Sequence, residues 1–324
     1  MVKSSYYQIK LLSQRRSFED ALKDPNIDDE TKRKIRLISV VKKYAEQKLS
    51  LIHTNNYETF VLLDDKYVVY AVTASYKDRL EAFTWSFPIV GKVPYKGFFK
   101  KTDADDEKAA LENQNLDVME RGVSAYSTLG WFSDPLLSSM TAFDDHDLVE
   151  TVIHETTHAT LYIKNNADFN ERLATFVGNQ GMESFYEETE GGDSPNIAKA
   201  HLISEDSKIF SQFISDEIKK LEKFYSENKG SATLMDDRDK TFALIKSNFD
   251  QSCSLKLKSA TFKNFSKQKL NNAVFLSYKT YYQDLTLFQK AFDKLGRDWP
   301  KFISHFKEIK KSTDPAKELQ EFVQ

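Results

Sequence analysis

Two histidines a helical turn apart, in His154-Glu155-Thr156-Thr157-His158, constrain this chain more than any other stretch of it. This HExxH pattern has chemical meaning only on a helix. At about 100° per residue, His154 and His158 then point within about 40° of each other, one turn apart. Both imidazoles can reach one tetrahedral zinc at about 2.0–2.1 Å. Glu155 lies beside them and can reach a zinc-bound water as general base. The flanks supply the helix: Asp144-Asp145 has N-cap chemistry, and 146–163 is the helix it opens. The chain holds 6 histidines among 324 residues, so chance makes this pattern rarely. The competing reading is a solvated helix carrying two unrelated histidines.

Zinc in a catalytic site needs a third protein ligand and an open fourth position for water. The following segment, ADFNERLATFVGNQG (167–181), opens a second helix after a short NNAD turn. In such an αα-hairpin Glu171 lies at a depth similar to His158 and is the best candidate. Against it, Asp168 and Glu171 have the spacing of a capping box, which would turn the glutamate back on its own helix end. Glu183, Glu187 and Glu188 also compete. Ala174 and Gly178, small and one and two turns further on, would let the two helices pack closely.

The rest of the chain reads as α+β: a small mixed or antiparallel sheet, then the active-site helix, then a largely helical C-terminal lobe. Helical spacing covers 31–51, where Ile35, Ile38, Val41, Ala45 and Leu49 recur at three and four. Segments 67–74 and 83–90 read as strands, 103–119 as a polar helix, and the run after Gly122 as a third strand. Ser133-Asp134-Pro135 predicts a short helix. Further helices are expected over 168–188, 196–228, 236–258, 268–294 and 298–311. No linker rich in Pro, Gly and Ser appears. The expectation is therefore one domain, 1–324, with an N-terminal α/β lobe (about 1–163) and a helical lobe (about 164–324).

Composition narrows the partners. Lys+Arg 46 against Asp+Glu 49 gives a net charge of -3 with the signs interspersed, which argues against nucleic acid. No apolar run approaches the roughly 18 residues of a membrane helix. The single cysteine, Cys253, leaves no internal disulfide and reads as an inert, semi-buried thiol. The N-terminus lacks the apolar core of a signal peptide. Read literally that means the cytoplasm; the alternative is an exported protein trimmed of its signal.

Four blocks in order carry a resemblance: FPIVGKVPYKGFF (87–99), GVSAYSTLGWFSDPLLSSM (122–140), VIHETTHATLYIKNNADFNERLATFVGNQG (152–181) and, more weakly, LNNAVFLSY (270–278). The chain resembles the predicted zinc aminopeptidases of proteobacteria, placed with the gluzincin metallopeptidases. The resemblance implies a zincin-type active-site helix, one zinc ion held by His154, His158 and Glu171, Glu155 as general base, and a peptide substrate. Thr157, Ala159 and Lys92 stand where many members have Ala, Gln and Cys, which touches substrate preference more than chemistry. Members commonly begin as exported lipoproteins. The lipobox cysteine is missing here, so the expectation leans to a trimmed cell-envelope protein, lipid-anchored in its precursor.

The mechanism expected is metal-assisted peptide hydrolysis, with Glu155 taking the water's proton and delivering it to the leaving amine. An oxyanion donor is also needed. Tyr278 is the first candidate and Tyr126 the second, against the plain reading of Tyr278, Tyr281 and Tyr282 as an aromatic core stripe. Strand 122–128 could offer its edge to substrate. Trp131-Phe132 reads as core before pocket, His201 as surface, and Lys307, Lys310 and Lys311 as a solvated face. Two other functions use the same residues: a zinc endopeptidase, and a zinc-stabilised binding protein with little turnover. The intact Glu155 argues against the second.

Overall fold

The structure is a computed structural model that describes residues 2–87, 91–125, 133–164, 166–281 and 285–324. Its helices are α1 (Val2–Ser13), α2 (Phe18–Lys23), α3 (Asp29–Gln47), α4 (Lys101–Asn113), α5 (Asp145–Thr160), α6 (Ala167–Glu190), α7 (Pro195–Glu227), α8 (Leu234–Asn248), α9 (Asn272–Tyr281), α10 (Thr286–Lys294), α11 (Trp299–Ile309) and α12 (Pro315–Val323). Its strands are β1 (Arg16–Ser17), β2 (Thr59–Val61), β3 (Val69–Tyr76), β4 (Trp85–Phe87), β5 (Gly91–Val93), β6 (Tyr95–Phe98), β7 (Leu116–Val123) and β8 (Leu136–Leu137). The class is mixed α+β, with small sheets and a helical C-terminal region, as the sequence predicts. No helix among the described residues is long and apolar enough to cross a membrane. The chain divides into two compact units, one of residues 1–68, 124–200 and 285–324, the other of 69–123 and 201–284.

In the first unit, α3 starts where the Asp28 carboxylate accepts the Thr31 N–H at 2.8 Å, satisfying one of the unpaired donors of a helix N-terminus. Ile35, Ile38, Val41 and Ala45, spaced by three and four, are fully buried along one face. That helix packs beside α5. Arg33 grips Asp145 with two hydrogen bonds of 2.6 and 2.7 Å, a bidentate pairing that fixes the start of α5. The buried ammonium of Lys34 donates to the carbonyls of Thr141 and Phe143 just before it. A short sheet places β1 antiparallel and β8 parallel to β2, with Phe60 opposite Leu136. Phe169 and Phe176 of α6 meet Phe288 and Phe302, rings brought by α10 and α11.

The second unit centres on β3, flanked by β6 and β7 in an antiparallel sheet. Its core is aromatic: Phe210 and Phe262 stack with centroids 4.3 Å apart, and Phe249 meets Phe265 at 4.9 Å. One polar network is buried in it. Asp117 accepts from Arg238 Nη1 at 3.0 Å and from the Asn272 N–H at 2.9 Å. Asn272 in turn donates to the Tyr76 carbonyl and accepts from the Tyr225 hydroxyl.

Several boundaries differ from those the sequence predicts. The polar helix ends at Asn113 and the strand starts at Leu116, because Asn115 turns the chain with φ 61° and LDVM then contributes to a sheet. The strand that ends at Val123 starts at Leu116, and of the strand expected over 122–128 residues 126–128 lie outside the described residues. Ser133-Asp134-Pro135 leads not into a helix but into β8, because Leu136 and Leu137 pair with β2. The helix expected over 236–258 stops at Asn248, widens into a π turn over Phe249–Cys253 and then tightens into a 3-10 turn over Ser254–Lys256. The one expected over 268–294 begins at Asn272, and a second helix begins at Thr286. Cys253 is buried, and burial pushes its thiol up to about 11, in keeping with an inert side chain.

Candidate active site

Helix α5 carries three buried threonines, a residue type that disfavours helices because its hydroxyl competes for backbone partners. Here each hydroxyl bonds the carbonyl four residues back: Thr156 to Val152, Thr157 to Ile153, and Thr160 to Thr156, at 2.7–2.8 Å. The helix can therefore bury this face without losing a hydrogen bond. Asn170 fastens the turn into α6 with a reciprocal pair, accepting the Ile163 N–H at 2.9 Å and donating to the Ile163 carbonyl at 2.8 Å. Glycine lets α6 approach closely. A Cβ at Gly181 would stand 2.8 Å from Leu49 Cδ1 and 3.1 Å from Ile153 Cγ2.

Along that seam His154, His158 and Glu171 converge. The two Nε2 atoms are 3.1 Å apart. The Glu171 carboxylate reaches to 3.5 Å from His158 Nε2 and 3.7 Å from His154 Nε2. A four-coordinate ion with bonds of about 2.0–2.1 Å holds its ligand atoms about 3.3–3.4 Å apart, so the donor set fits a small divalent cation. Two nitrogens and one carboxylate oxygen are a donor set that catalytic zinc takes and that other imidazole-binding transition ions share. Glu171 thus faces the histidines, not its own helix end as a capping box would have it, and Asp168 is exposed. Glu183 accepts from Gln180 instead, and neither Glu187 nor Glu188 joins a cluster with these histidines among the described residues.

Electrostatics set the three ionisable groups apart. Burial works against a charged His154, but the carboxylates of Glu150 and Glu171 outweigh it and hold the ring up to about 10. Burial takes His158 the other way, down to about 4, and the charge on His154 adds to it. Glu155 is pushed up to about 7, chiefly by burial, with His154 opposing. Its Oε2 is fully buried and has no hydrogen-bond partner among the described residues, and the same is true of His158 Nδ1. A carboxyl held near neutrality beside a metal-type donor set has the protonation behaviour that acid–base catalysis requires.

Three further residues stand near this group without a signal in the sequence strong enough to single them out. Glu150 lies one turn before His154 on α5, with Oε1 3.7 Å from its Nδ1; the i−4 spacing was readable. Tyr57 and Asp134 come from stretches without periodicity. The Tyr57 N–H donates to the Asp134 carbonyl at 2.7 Å, and Asn56 Oδ1 accepts the Asp134 N–H at 2.9 Å. Tyr57 takes a left-handed φ of 55°, unusual for an aromatic residue, and that pair of bonds holds it. Burial raises its hydroxyl pKa well above the ordinary value, and the charges of Glu155 and Asp134 add to the effect.

The tyrosines weighed as oxyanion donors are placed differently. Tyr278 is in the second unit, its hydroxyl donating to Gln268 Oε1 at 3.2 Å and its ring against Phe210 and Phe265. Tyr126 lies outside the described residues, as do Trp131, Phe132 and Tyr282. His201, Lys307, Lys310 and Lys311 are exposed. A second acidic group at the start of α5, Asp144, His146 and Asp147, also has metal-like spacing. Asp144 is paired outside the group, with Lys199 at 2.6 Å, and within it His146 Nε2 sits 3.0 Å from Asp147.

A family model described as “Putative aminopeptidase” matches residues 1–321 of the chain. No curated protein and no solved structure matches it.

Proposed function

The chain belongs to the family described as “Putative aminopeptidase”, and from that membership and the donor geometry we propose that it is a zinc-dependent aminopeptidase of the gluzincin kind. The observation that carries the reading is the meeting of His154 Nε2, His158 Nε2 and the Glu171 carboxylate on one helical hairpin, with the buried Oε2 of Glu155 beside them.

In this reading His154, His158 and Glu171 hold the zinc ion. When bound, zinc supplies Lewis acidity, polarising the scissile carbonyl and making water nucleophilic near neutral pH. Glu155 accepts the proton of the attacking water at a carboxylate oxygen and hands it to the leaving amine. Both transfers are favoured by a carboxyl poised near 7, which can hold a proton briefly without trapping it. The buried, unpartnered Oε2 fits this role, since a carboxylate with a structural task would have its hydrogen bonds made within the protein.

The test joins metal content to substrate end-group. Protein purified without added metal should carry one zinc per chain, lost in His154→Ala, and should release product from free aminoacyl substrates but not from their N-acetylated counterparts. Cleavage of both kinds would mark an endopeptidase. Zinc without cleavage of any member of a broad peptide library would mark a binding protein, and no zinc even when supplied would end the metallopeptidase reading.

A further inference from the structure

Glu150 and Gly178 face each other across the α5–α6 seam, and neither belongs to the donor set. His154 turns Nε2 towards His158 and Glu171, which leaves Nδ1 pointing away from them, towards Glu150 Oε1 at 3.7 Å. An imidazole that gives Nε2 to a metal carries its proton on Nδ1, and a carboxylate behind Nδ1 fixes both tautomer and ring plane. The other ring has no such support: His158 Nδ1 is buried without a hydrogen-bond partner among the described residues.

The space that Glu150 occupies is made by a glycine. A Cβ built on Gly178 would lie 2.6 Å from Glu150 Oε1, 3.2 Å from its Cδ and 3.2 Å from its backbone oxygen. Gly178 sits inside a helix with its φ in the ordinary range, so backbone conformation does not require glycine there. Glycine within a helix costs about 0.5–1 kcal/mol relative to alanine. The nearest atom a side chain there would meet is the Glu150 carboxylate oxygen, ahead of that residue's own backbone oxygen.

We propose that Glu150 is a positioning residue for the His154 ligand, accepting the Nδ1–H bond that aims Nε2 at the metal, and that Gly178 is the notch that admits its carboxylate. The assignment rests on the zinc reading above and concerns how the first ligand is held. Its action is on metal affinity through His154, not on the substrate.

The experiment is zinc affinity by competition with a chromogenic chelator, measured on the full chain beside thermal unfolding of the metal-free protein. Glu150→Ala should weaken zinc binding about 10–100-fold, the usual effect of removing a carboxylate behind a histidine ligand. Glu150→Gln should retain most of the affinity, because its amide oxygen still accepts the Nδ1–H. Gly178→Ala should weaken binding as Glu150→Ala does, and the double variant should be no weaker than Glu150→Ala alone, since the second change acts through the first. A purely packing role predicts the reverse: lower unfolding temperatures, additive effects and no rescue by glutamine.

Unchanged affinity in Glu150→Ala, or additivity in the double variant, overturns the inference while leaving the zinc site standing. A wild-type chain that binds no zinc overturns both. Should Glu150→Ala fail to fold, Gly178→Ala against Glu150→Gln makes the same comparison.

Discussion

Both units bury polar groups, and they treat them in opposite ways. In the second unit Asp117 is met by Arg238 and by a backbone N–H, while the Asn272 side chain engages three partners, the Tyr76 and Arg79 carbonyls and the Tyr225 hydroxyl. Only Arg238 Nε in that network lacks a hydrogen bond among the described residues. In the first unit Glu155 Oε2 and His158 Nδ1 are buried without a hydrogen-bond partner among the described residues, as are the Tyr186 hydroxyl and His305 Nε2 of the same unit. A satisfied buried group specifies one packing, whereas an unsatisfied one lowers stability and persists where it serves something else. On the proposed reading, Glu155 and His158 would be polar groups kept for chemistry and the Asp117 network one kept for structure.

The largest effect that could break this contrast is on turnover. Glu155→Gln should keep zinc in place and lower kcat by about 10²–10⁴-fold, the range that a positioned acid–base group contributes; steady-state rates on a free aminoacyl substrate, normalised to zinc content, decide it. Asp117→Ala should do the opposite. It leaves Arg238 buried and unpaired, so chemical denaturation should show a loss of about 3–5 kcal/mol, with zinc per folded chain unchanged.

The same Glu155→Gln protein sharpens the comparison through pH. Burial raises the folded pKa of Glu155 from 4.5 to about 7, so the folded state holds this proton more tightly than the unfolded one, and stability from this group falls as pH rises across that window. The metal-free variant should therefore be the more stable protein above pH 7 and should match wild type below 4.5. The smallest effect concerns the metal. With His154 held charged up to about 10, zinc must displace a proton to bind at pH 7. Affinity should rise about tenfold per pH unit through neutrality, with about one proton released per ion. Titration calorimetry in buffers of different ionisation enthalpy reads that number.

How much of this was legible in the sequence varies with the range of the interactions. The 3.6-residue period put His154 and His158 on one face, and a short connection, 161–166, brought Glu171 back to them, so the three donors meet through local geometry. Glu150 obeys the same period but attracts no notice until Gly178 is seen opposite. Tyr57 and Asp134 meet only through long-range pairing, for which no local pattern exists. The same holds for β8, since Asp-Pro is good helix-opening chemistry and only the partner β2 makes Leu136 and Leu137 a strand. Composition also stays flat across residues 68, 123, 200 and 284, where the two units exchange the chain. Helices such as α3 and α6, whose buried faces repeat over many turns, are where sequence and structure agree best.

The reciprocal Asn170–Ile163 clasp has a consequence for how the molecule is made. It closes the hairpin locally, and every donor of the cluster lies between His154 and Glu171. The loop to be ordered is therefore short, and its entropy cost is small beside that of pairing distant strands. A nascent chain has the whole donor set in hand as soon as α6 has emerged, before α10 and α11 exist to pack on Phe169 and Phe176 of that helix. If zinc is held there as proposed, the ion can be captured during synthesis, and the later helices fold around a centre already made.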